Sequence, residues 1–315
     1  MSSLDAVGFA AINEDRIKYI NVPVEEHEAF SPGPLQNQSF DEHFLGGSVV
    51  NTILGLTRLG LGTALIGKLG NDESANFLER ELTKNNITFY APNAEGSSGI
   101  AHVTVGSNKQ RSIRINPGVN DTITLKDITL FKNLIKNAKL IHSASFACAF
   151  NRYESLRTQV KIAKEAKKFS FAPGTLYCAD IYKKQPKLID ELLLNTDILI
   201  LNKKEAECLT ALGYMDAAQR LLEKYRIQNI AITLGADGCA VFNEKESYLI
   251  SAYKAEPVDL TGAGDAFATG FIYGYLKGKS LEESGKLGNM VAAFCIQKKG
   301  AVEGLPTETQ LLRKI

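Results

Sequence analysis

Short apolar runs alternate with amphipathic stretches along the chain. The runs are predicted strands at residues 5–12, 63–66, 139–141, 169–172, 197–201 and 229–234. Between them, apolar side chains recur at helical spacing in residues 49–59, 73–85, 152–168, 184–194, 217–226 and 266–277. This alternation predicts right-handed βαβ units on a parallel sheet, and therefore an α/β fold. Ligands of such sheets bind beyond the carboxyl ends of the strands, so the loops there are the candidate binding segments.

Two segments interrupt the alternation. Residues 14–40 form a long polar stretch that contains Pro23, Pro32 and Pro34. Residues 99–115 read as two alternating strands joined by a polar turn, a pattern typical of a β-hairpin. We expect both segments to form a small, discontinuous β lid, from about 13–40 and 99–116, on a single domain that spans residues 1–315.

The composition excludes several classes of protein. Of the 315 residues, 44% are hydrophobic and 23% are charged, as in ordinary globular proteins. The net charge of +1 gives no field that could hold nucleic acid or an anionic membrane, so we expect neither partner. The chain starts without the pattern of a signal peptide and has no apolar run as long as a membrane span, so we expect a cytoplasmic protein. The five cysteines contain no CxxC pair and the four histidines no close pair, so neither predicts a metal site.

A first glycine cluster, Gly46 and Gly47, precedes a predicted helix that carries Asn51. Paired glycines let the backbone approach a small ligand, and the amide of Asn51 both donates and accepts hydrogen bonds. These features suit vicinal sugar hydroxyls. The alternative is that the glycines only turn the chain and Asn51 is a solvated helix residue.

A second cluster, Gly262, Ala263 and Gly264, starts a long apolar helix and is followed by Asp265. Small residues at a helix start leave backbone N–H groups free, and the helix dipole there favours negative charge. The cluster is therefore a candidate anion hole for a phosphoryl group, with Asp265 placed to take a proton from an attacking hydroxyl. Alternatively, Asp265 only complements the helix dipole.

Two further motifs follow predicted strands. Asn202 and Glu205 share one face at a strand-to-helix junction and carry oxygens suited to magnesium or its waters, although the same spacing is that of a helix capping box. Thr233, Gly235 and Gly238 follow the next strand, where glycines would let a nucleotide lie against the backbone. The alternative there is an ordinary glycine turn.

The order and spacing of these four motifs resemble the ribokinase-like, PfkB-type family of carbohydrate kinases. The most specific match is DLTGAGDAFATGF at residues 259–271, and GGSVVN at 46–51 resembles the N-terminal signature. The resemblance runs from about residue 5 to 300. It implies a three-layer α/β/α domain with a mostly parallel central sheet and a small β-sheet lid. It also implies transfer of the γ-phosphate of ATP to an alcohol of a sugar or nucleoside.

The resemblance assigns roles to individual residues. Asp265 would be the general base, beside an anion hole formed by Gly262, Ala263 and Gly264. Asn202 and Glu205 would order Mg²⁺ and the phosphates, Glu205 through water. Four residues would border the nucleotide: Thr233, Gly235, Gly238 and Asn289.

On the acceptor side, the resemblance implies that Asp15 binds sugar hydroxyls, with Gly46, Gly47 and Asn51 completing the pocket. Asp259 matches a position that binds a monovalent cation such as K⁺ in several relatives. Relatives often pair through their lids, so a homodimer through the lid is an expectation as well. Ser48-Val49-Val50 and Leu260 depart from the family pattern and leave the identity of the sugar open.

These features favour an ATP-dependent kinase of a sugar or related small polyol. Two alternatives stay open. One is a nucleoside kinase, for which Phe30, Phe40 and Phe44 are candidates to stack on a purine. The other is a non-catalytic protein that senses a sugar or nucleotide, which the retained Asp265 and Glu205 argue against.

Overall fold

The structure is a computed structural model that describes residues 4–25, 27–30, 39–92, 94–108, 110–146, 153–174 and 181–314. Its strands are β1 (Ala6–Phe9), β2 (Asn13–Tyr19), β3 (His27–Phe30), β4 (Glu42–Gly46), β5 (Thr63–Ile66), β6 (Thr88–Tyr90), β7 (Gly99–Val105), β8 (Arg111–Asn116), β9 (Leu140–Ala144), β10 (Phe169–Ala172), β11 (Ile198–Asn202), β12 (Asn229–Thr233), β13 (Cys239–Phe242) and β14 (Ser247–Ile250).

Its helices are α1 (Ser48–Arg58), α2 (Glu73–Lys84), α3 (Leu125–Thr129), α4 (Lys132–Asn137), α5 (Glu154–Glu165), α6 (Tyr182–Lys184), α7 (Pro186–Leu194), α8 (Lys203–Thr210), α9 (Tyr214–Tyr225), α10 (Ala263–Leu276), α11 (Leu281–Cys295) and α12 (Glu308–Leu312). Local chemistry explains where some of them start. α7 begins at Pro186 rather than at the expected residue 184, because proline is preorganised for the first helical position. α9 begins at Tyr214, directly after Gly213, three residues before the start that the periodicity predicts.

The main sheet has nine strands in the order β14-β13-β12-β11-β10-β9-β1-β5-β6. The pairs that β13 makes with β12 and β14 are antiparallel, and the other neighbouring pairs are parallel. Every residue of β1, β5 and β9 is buried, as expected for strands whose two faces are both covered by helices. Helices α1, α2, α10 and α11 contribute to the hydrophobic core on one face, and α5, α7, α8 and α9 to the core on the other. The predicted three-layer α/β/α fold is confirmed.

The strand order reverses at β1. The chain runs outward from β1 through β5 to β6, then returns to β9 on the opposite side of β1. A crevice therefore opens beyond the carboxyl ends of β1 and β9, which is where open α/β sheets bind their ligands.

A smaller sheet, which we call the small sheet, lies beside this crevice, with strand order β3-β8-β7-β2-β4. Its β7–β8 pair is the antiparallel hairpin that the alternating pattern predicts. The small sheet also includes β4, so it extends to Gly46, past the expected boundary near residue 40. Residues 31–38 of the polar insertion lie outside the described residues.

Side chains alternate between the two faces of the small sheet. Paired positions on neighbouring strands share a face, so Asp15, Ala101 and Ile115 lie on the same face. This face lines the crevice and is called the cavity face. The opposite, outer face carries Glu14 and Arg16. Within the described residues, no helix combines the length and the apolar character that a membrane crossing requires.

Candidate active site

A cavity of about 810 Å³ lies between the main sheet and the small sheet. The main sheet contributes the segments that follow β1 and β9, including Ala11 and Ser145. The small sheet contributes an apolar wall formed by Ile17, Ala101, Val103, Val105, Ile113 and Ile115. The loop before α10 supplies the remaining side. The cavity therefore occupies the crevice that the strand order predicts.

Asp265 lies in the first turn of α10 and lines this cavity. Its Oδ1 accepts a hydrogen bond from the Ser48 hydroxyl at 2.6 Å, and its Oδ2 accepts one from Asn51 Nδ2 at 2.8 Å. Burial raises the pKa of Asp265 to about 6, although these two donors oppose the shift. The carboxylate is thus held in a fixed orientation, and its pKa lies close to neutral pH.

The residues before Asp265 form the start of α10. Gly262 is the N-cap with φ 73°, a left-handed conformation that glycine adopts without strain, and no side chain caps the helix. Ala263 N–H donates back to Leu260 O at 3.3 Å. The N–H groups of Gly262, Gly264 and Asp265 have no acceptor in the described part of the chain. A Cβ placed on Gly264 would meet no atom within 4 Å, so the space in front of these groups is open.

Asp15 lies on β2 with its side chain on the cavity face. Gly46, on the paired strand β4, makes room for it, because a Cβ there would come within 2.1 Å of Asp15 Oδ1. The pKa of Asp15 is raised to about 7, chiefly by burial and further by the negative charges of Asp265 and Glu14. The structure thus brings Asp15 and Asp265 into one cavity, as the sequence predicts.

Asn51 connects the acceptor side to Asp265. Asn51 is buried in α1 and lines the cavity together with Gly47. Its Nδ2 is used on Asp265, and its Oδ1 has no hydrogen-bond donor among the described residues. A buried acceptor without a donor is costly, so this oxygen is available for a hydroxyl group of a ligand.

Asn202 and Glu205 form a capping box at the start of α8. Asn202 Oδ1 accepts from Glu205 N–H at 2.8 Å, and Glu205 Oε2 accepts from Asn202 N–H at 2.9 Å. Glu205 Oε1 also accepts from Asn202 Nδ2 at 2.7 Å. The structure therefore contains the helix capping box, which was the alternative interpretation of this spacing. It holds the Glu205 carboxylate in one orientation beyond the end of β11.

The residues expected on the nucleotide side lie toward the β14 end of the main sheet and are not among the described residues that line the cavity. Thr233 ends β12 and pairs with Asn202 of β11, and the 3₁₀ turn Gly235–Asp237 follows it. Gly238 packs against the backbone at Ile250. Asn289 of α11 donates to the backbone oxygens of Ile250 and Ser251, both at 3.1 Å. Gly238 and Asn289 thus both contact the backbone at Ile250, and Thr233 pairs with Cys239, the residue after Gly238.

Asp259 has its carboxylate surrounded by donors. Oδ1 accepts from Arg111 at 3.0 Å, from Thr261 N–H at 2.9 Å and from the Thr261 hydroxyl at 2.6 Å. Oδ2 accepts from Gly300 N–H at 2.9 Å. Burial alone would raise the pKa of Asp259, but Thr261, Gly300 and Arg111 lower it overall. Asp259 is therefore an ionised carboxylate that protein donors already neutralise.

Several residues of the cavity carry no assignment from the sequence, among them Ser48, Arg111 and Lys299. Ser48 lies three positions before Asn51 in α1, so helical spacing could have placed it beside the same carboxylate. Arg111 shares the strand alternation of β8 with cavity-facing isoleucines. Neither helical spacing nor strand alternation in the sequence indicates that Lys299 lines the cavity. It pairs with Glu42 at 2.7 Å and lies over the Tyr19 ring, 4.1 Å from the centroid.

The residues present fit a magnesium ion held largely through water. No group of three or more histidine, cysteine, aspartate or glutamate side chains that could hold a metal occurs in the described ranges. Mg²⁺ in phosphoryl-transfer sites keeps several waters and relies on one or two carboxylates plus the phosphates. The oriented Glu205 carboxylate meets that requirement without a closed ligand cage.

Comparisons with known proteins agree with the motifs. A model of the pfkB family carbohydrate kinases matches residues 17–308. A protein from Archaeoglobus fulgidus named uncharacterized sugar kinase is 41% identical over 254 residues, which cover 80% of this chain and 98% of that protein. The ribokinase of Haemophilus influenzae is 27% identical over 310 residues, 96% of this chain and 95% of that protein.

Solved structures share the fold. The adenosine kinase of Sinorhizobium meliloti has a TM-score of 0.84 at 21% identity and covers 99% of both chains. The ribokinase of Thermotoga maritima has a TM-score of 0.80 at 22% identity and covers 98% of both chains. Together with the family match, these similarities confirm the resemblance noted in the sequence. The chain belongs to the PfkB family of carbohydrate kinases, phosphotransferases with an alcohol group as the acceptor.

Proposed function

We propose that the protein transfers the γ-phosphoryl group of ATP to a hydroxyl of an uncharged sugar or related small polyol, with Asp265 as the general base. The observation that carries the proposal is the junction of Asp265 and Asn51. There, an oriented carboxylate and a buried amide oxygen without a donor face the same cavity, beside the free N–H groups of Gly262 and Gly264.

Asp265 is suited to proton abstraction during attack by the acceptor. A general base works best when its pKa lies near the operating pH, and burial raises the pKa of Asp265 to about 6. Ser48 and Asn51 fix the carboxylate so that it needs no reorientation as the proton moves. Asp265 takes the proton from the attacking hydroxyl oxygen as that oxygen bonds to phosphorus.

The start of α10 is suited to receive the negative charge of the transferring group. The N–H groups of Gly262, Gly264 and Asp265 would donate to its oxygens, and the helix dipole adds to the attraction. Bound Mg²⁺ would supply charge neutralisation on the phosphates, with Glu205 holding its water ligands. Closure of the small sheet over the cavity would exclude water that competes with the acceptor.

Charge in the cavity favours an uncharged acceptor. Asp15 and Asp265 contribute two carboxylates without a cationic partner among their described contacts. Among the described residues, the two cationic side chains that line the cavity are already paired, Arg111 with Asp259 and Lys299 with Glu42. A phosphate or carboxylate on the acceptor would meet repulsion without a free cation to offset it. Hydroxyl groups would instead donate to Asp15 and to Asn51 Oδ1.

The lining also favours a sugar over a nucleoside. Tyr19 is the one aromatic side chain among the described residues that line the cavity. Phe40 packs against the His102 ring, with centroids 5.0 Å apart, and His102 lies on the outer face of the small sheet. Neither Phe40 nor Phe44 is among the described lining residues, and the side chain of Phe30 is outside the described part of the chain.

The test is ADP formation by the purified protein with ATP, Mg²⁺ and a panel of acceptors. The panel contains neutral pentoses, hexoses and cyclitols, the phosphates and carboxylic acids of the same sugars, and nucleosides. We expect turnover with one or more neutral polyols, and loss of at least about 10³-fold in kcat for Asp265→Asn, within the range for removal of a general base. The same variant controls for contaminating kinases. Turnover with nucleosides alone, or full turnover by Asp265→Asn, would refute the proposal.

A further inference from the structure

The monovalent-cation position implied by the family resemblance does not fit the groups found around Asp259. Both carboxylate oxygens accept hydrogen bonds from protein donors, namely the Arg111 guanidinium, Thr261 and the Gly300 N–H. A guanidinium already supplies the positive charge that this carboxylate would otherwise offer a cation. A second cation there would have to displace Arg111 or share its partner.

The neighbouring carbonyl groups are engaged as well. The thiol of Cys295, buried at the end of α11, lies 3.3 Å from Ala301 O and 3.6 Å from Thr261 O, so its one proton is donated to one of these carbonyls or shared between them. Burial raises the pKa of Cys295 to about 12, so the thiol keeps its proton at neutral pH. Gly262 packs closely on Ala301, since a Cβ on Gly262 would come within 2.6 Å of the Ala301 Cβ. The carbonyl side of the position is therefore filled by a thiol and closely packed backbone.

We infer that Arg111 replaces the monovalent cation, so that the enzyme is independent of K⁺. Arg111 is a positioning residue: it holds Asp259 and Thr261, and through them the backbone that continues into the N–H groups of Gly262 and Gly264. The guanidinium group is always charged at physiological pH, and its planar fork serves two oxygens at once, here Asp259 Oδ1 and the Thr261 hydroxyl.

The location of Arg111 gives this bridge a second property. Arg111 begins β8 of the small sheet, whereas Asp259 and Thr261 precede α10 of the main domain, 148 to 150 positions away along the chain. Arg111 therefore connects the small sheet to the loop before α10, which a K⁺ ion bound at Asp259 would not do. Closure of the small sheet and ordering of the anion hole are therefore coupled through the Arg111–Asp259 ion pair, and the Lys299–Glu42 pair provides a second link between the small sheet and the segment beside Gly300.

The first experiment measures cation dependence and rests on the proposed kinase activity. Initial rates of the wild-type enzyme are compared in KCl, NaCl and tetramethylammonium chloride at equal ionic strength. We expect rates that agree within about 2-fold, because no site is left for a specific ion. Thermal unfolding in the same salts should give equal Tm values, since a ligand that binds the native state alone would raise Tm. A K⁺-specific rise in either rate or Tm would overturn the inference.

The second experiment removes the guanidinium. For Arg111→Ala we expect kcat to fall about 10- to 100-fold, less than the roughly 10²- to 10³-fold effect of losing a direct oxyanion donor, because Arg111 acts through Asp259 and Thr261. The KM for the acceptor should change less, because Arg111 is bonded to Asp259 and not to Asp15. Added millimolar guanidinium ion should restore part of kcat, and Arg111→Lys should retain more activity than Arg111→Ala. A purely structural role would lower stability without this rescue.

The matched control is Arg114→Ala. Arg114 lies on the same strand, is exposed, and alternates to the outer face of the small sheet. We expect no loss of kcat and no response to guanidinium. Full activity of Arg111→Ala in K⁺-free buffer would refute the inference. Absence of ATP turnover by wild-type enzyme in every salt would refute the proposed function instead, while the Tm comparison would still decide whether a K⁺ site exists.

Discussion

Glu14 and Asp15 are consecutive carboxylates on β2 that face opposite sides of the small sheet. On the outer face, Glu14 accepts hydrogen bonds from Arg16 at 2.8 Å, Ser74 at 2.5 Å and His43 Nδ1 at 2.6 Å. Burial alone would raise the pKa of Glu14, but these donors lower it to about 2. On the cavity face, the pKa of Asp15 is raised to about 7 by burial and neighbouring negative charge, with no hydrogen bond to oppose the shift.

Under the proposed function, the difference separates a structural carboxylate from one that binds the acceptor. Glu14 has exchanged its water for protein donors, so its ionised form stabilises the contact between β2, β4 and α2. Asp15 has lost water without replacement, so its ionised form costs stability. Hydroxyl groups of an acceptor would supply the missing donors. The folded protein tolerates this cost at the position where binding can offset it.

Among the variants that test this comparison, Asp15→Asn has the largest expected effect, which is on substrate binding. The amide keeps the size of the side chain but loses the charge that hydroxyl donors bind most strongly. We expect the KM for the acceptor to rise about 10- to 100-fold, corresponding to the 1.5–3 kcal/mol of a hydrogen bond to a charged group. The KM for ATP should stay near the wild-type value, because Asp15 lies on the acceptor side. Steady-state kinetics with each substrate varied in turn measure both constants. An unchanged acceptor KM would remove Asp15 from the binding site.

At the neighbouring position, Glu14→Gln should lower stability and leave substrate binding nearly unchanged. The amide cannot satisfy Arg16, Ser74 and His43 together, and it leaves the half-buried Arg16 without a counter-charge. We expect the free energy of unfolding to fall by about 2 kcal/mol, at the lower end for disruption of a buried charge contact. Urea unfolding measures this value. The acceptor KM should change by less than about 2-fold, and a larger change would break the distinction between the two faces.

The two carboxylates also predict opposite dependences of stability on pH. The pKa of Asp15 is higher in the folded state than its ordinary value of 3.8, so its contribution is present at low pH and is lost as pH rises through about 7. The pKa of Glu14 is lower than its ordinary value of 4.5, so its contribution is present above that value and is lost as pH falls through about 2.

Urea unfolding at a series of pH values tests this prediction by difference. Relative to wild type, Asp15→Asn should gain on the order of 1–2 kcal/mol as pH rises from 4 to 8, which is part of the limit of about 4 kcal/mol for a shift of three pKa units. Glu14→Gln should lose its disadvantage as pH falls from 5 to 2. Parallel curves for both variants would contradict the two opposite pKa shifts.

The sequence predicts the fold and the positions of the glycine clusters because both are local patterns. Strand and helix periods determine the layers, and the segments at Gly46 and Gly262 lie at the ends of elements where the cavity forms. The pairing of side chains around the cavity is different. Ser48 lies 217 positions from Asp265, and Arg111 lies 148 positions from Asp259, so no local pattern connects them.

A motif that fits two chemical roles also limits what can be predicted from the sequence. Asn202 and Glu205 match both a magnesium site and a capping box, and the structure contains the capping box. Glu14 and Asp15 differ by one methylene and one position, yet only the tertiary partners determine which one is satisfied. The alternation of faces along β2 is predictable from the sequence, whereas the surroundings of each face are not.

The smallest expected effect compares two serine hydroxyls, each bonded to a carboxylate. Ser48 donates to Asp265 at 2.6 Å, and Ser74 donates to Glu14 at 2.5 Å. Each hydrogen bond favours the ionised carboxylate, so its removal raises the pKa of that group. For Ser48→Ala, the acid limb of the pH profile of kcat/KM should move to higher pH, with a loss of about 3-fold near pH 7, within the net value of a single hydrogen bond. For Ser74→Ala, the profile should stay in place while the unfolding free energy falls by about 1 kcal/mol. A shift of the profile by Ser74→Ala, or none by Ser48→Ala, would show that Asp265 is not the carboxylate that titrates during turnover.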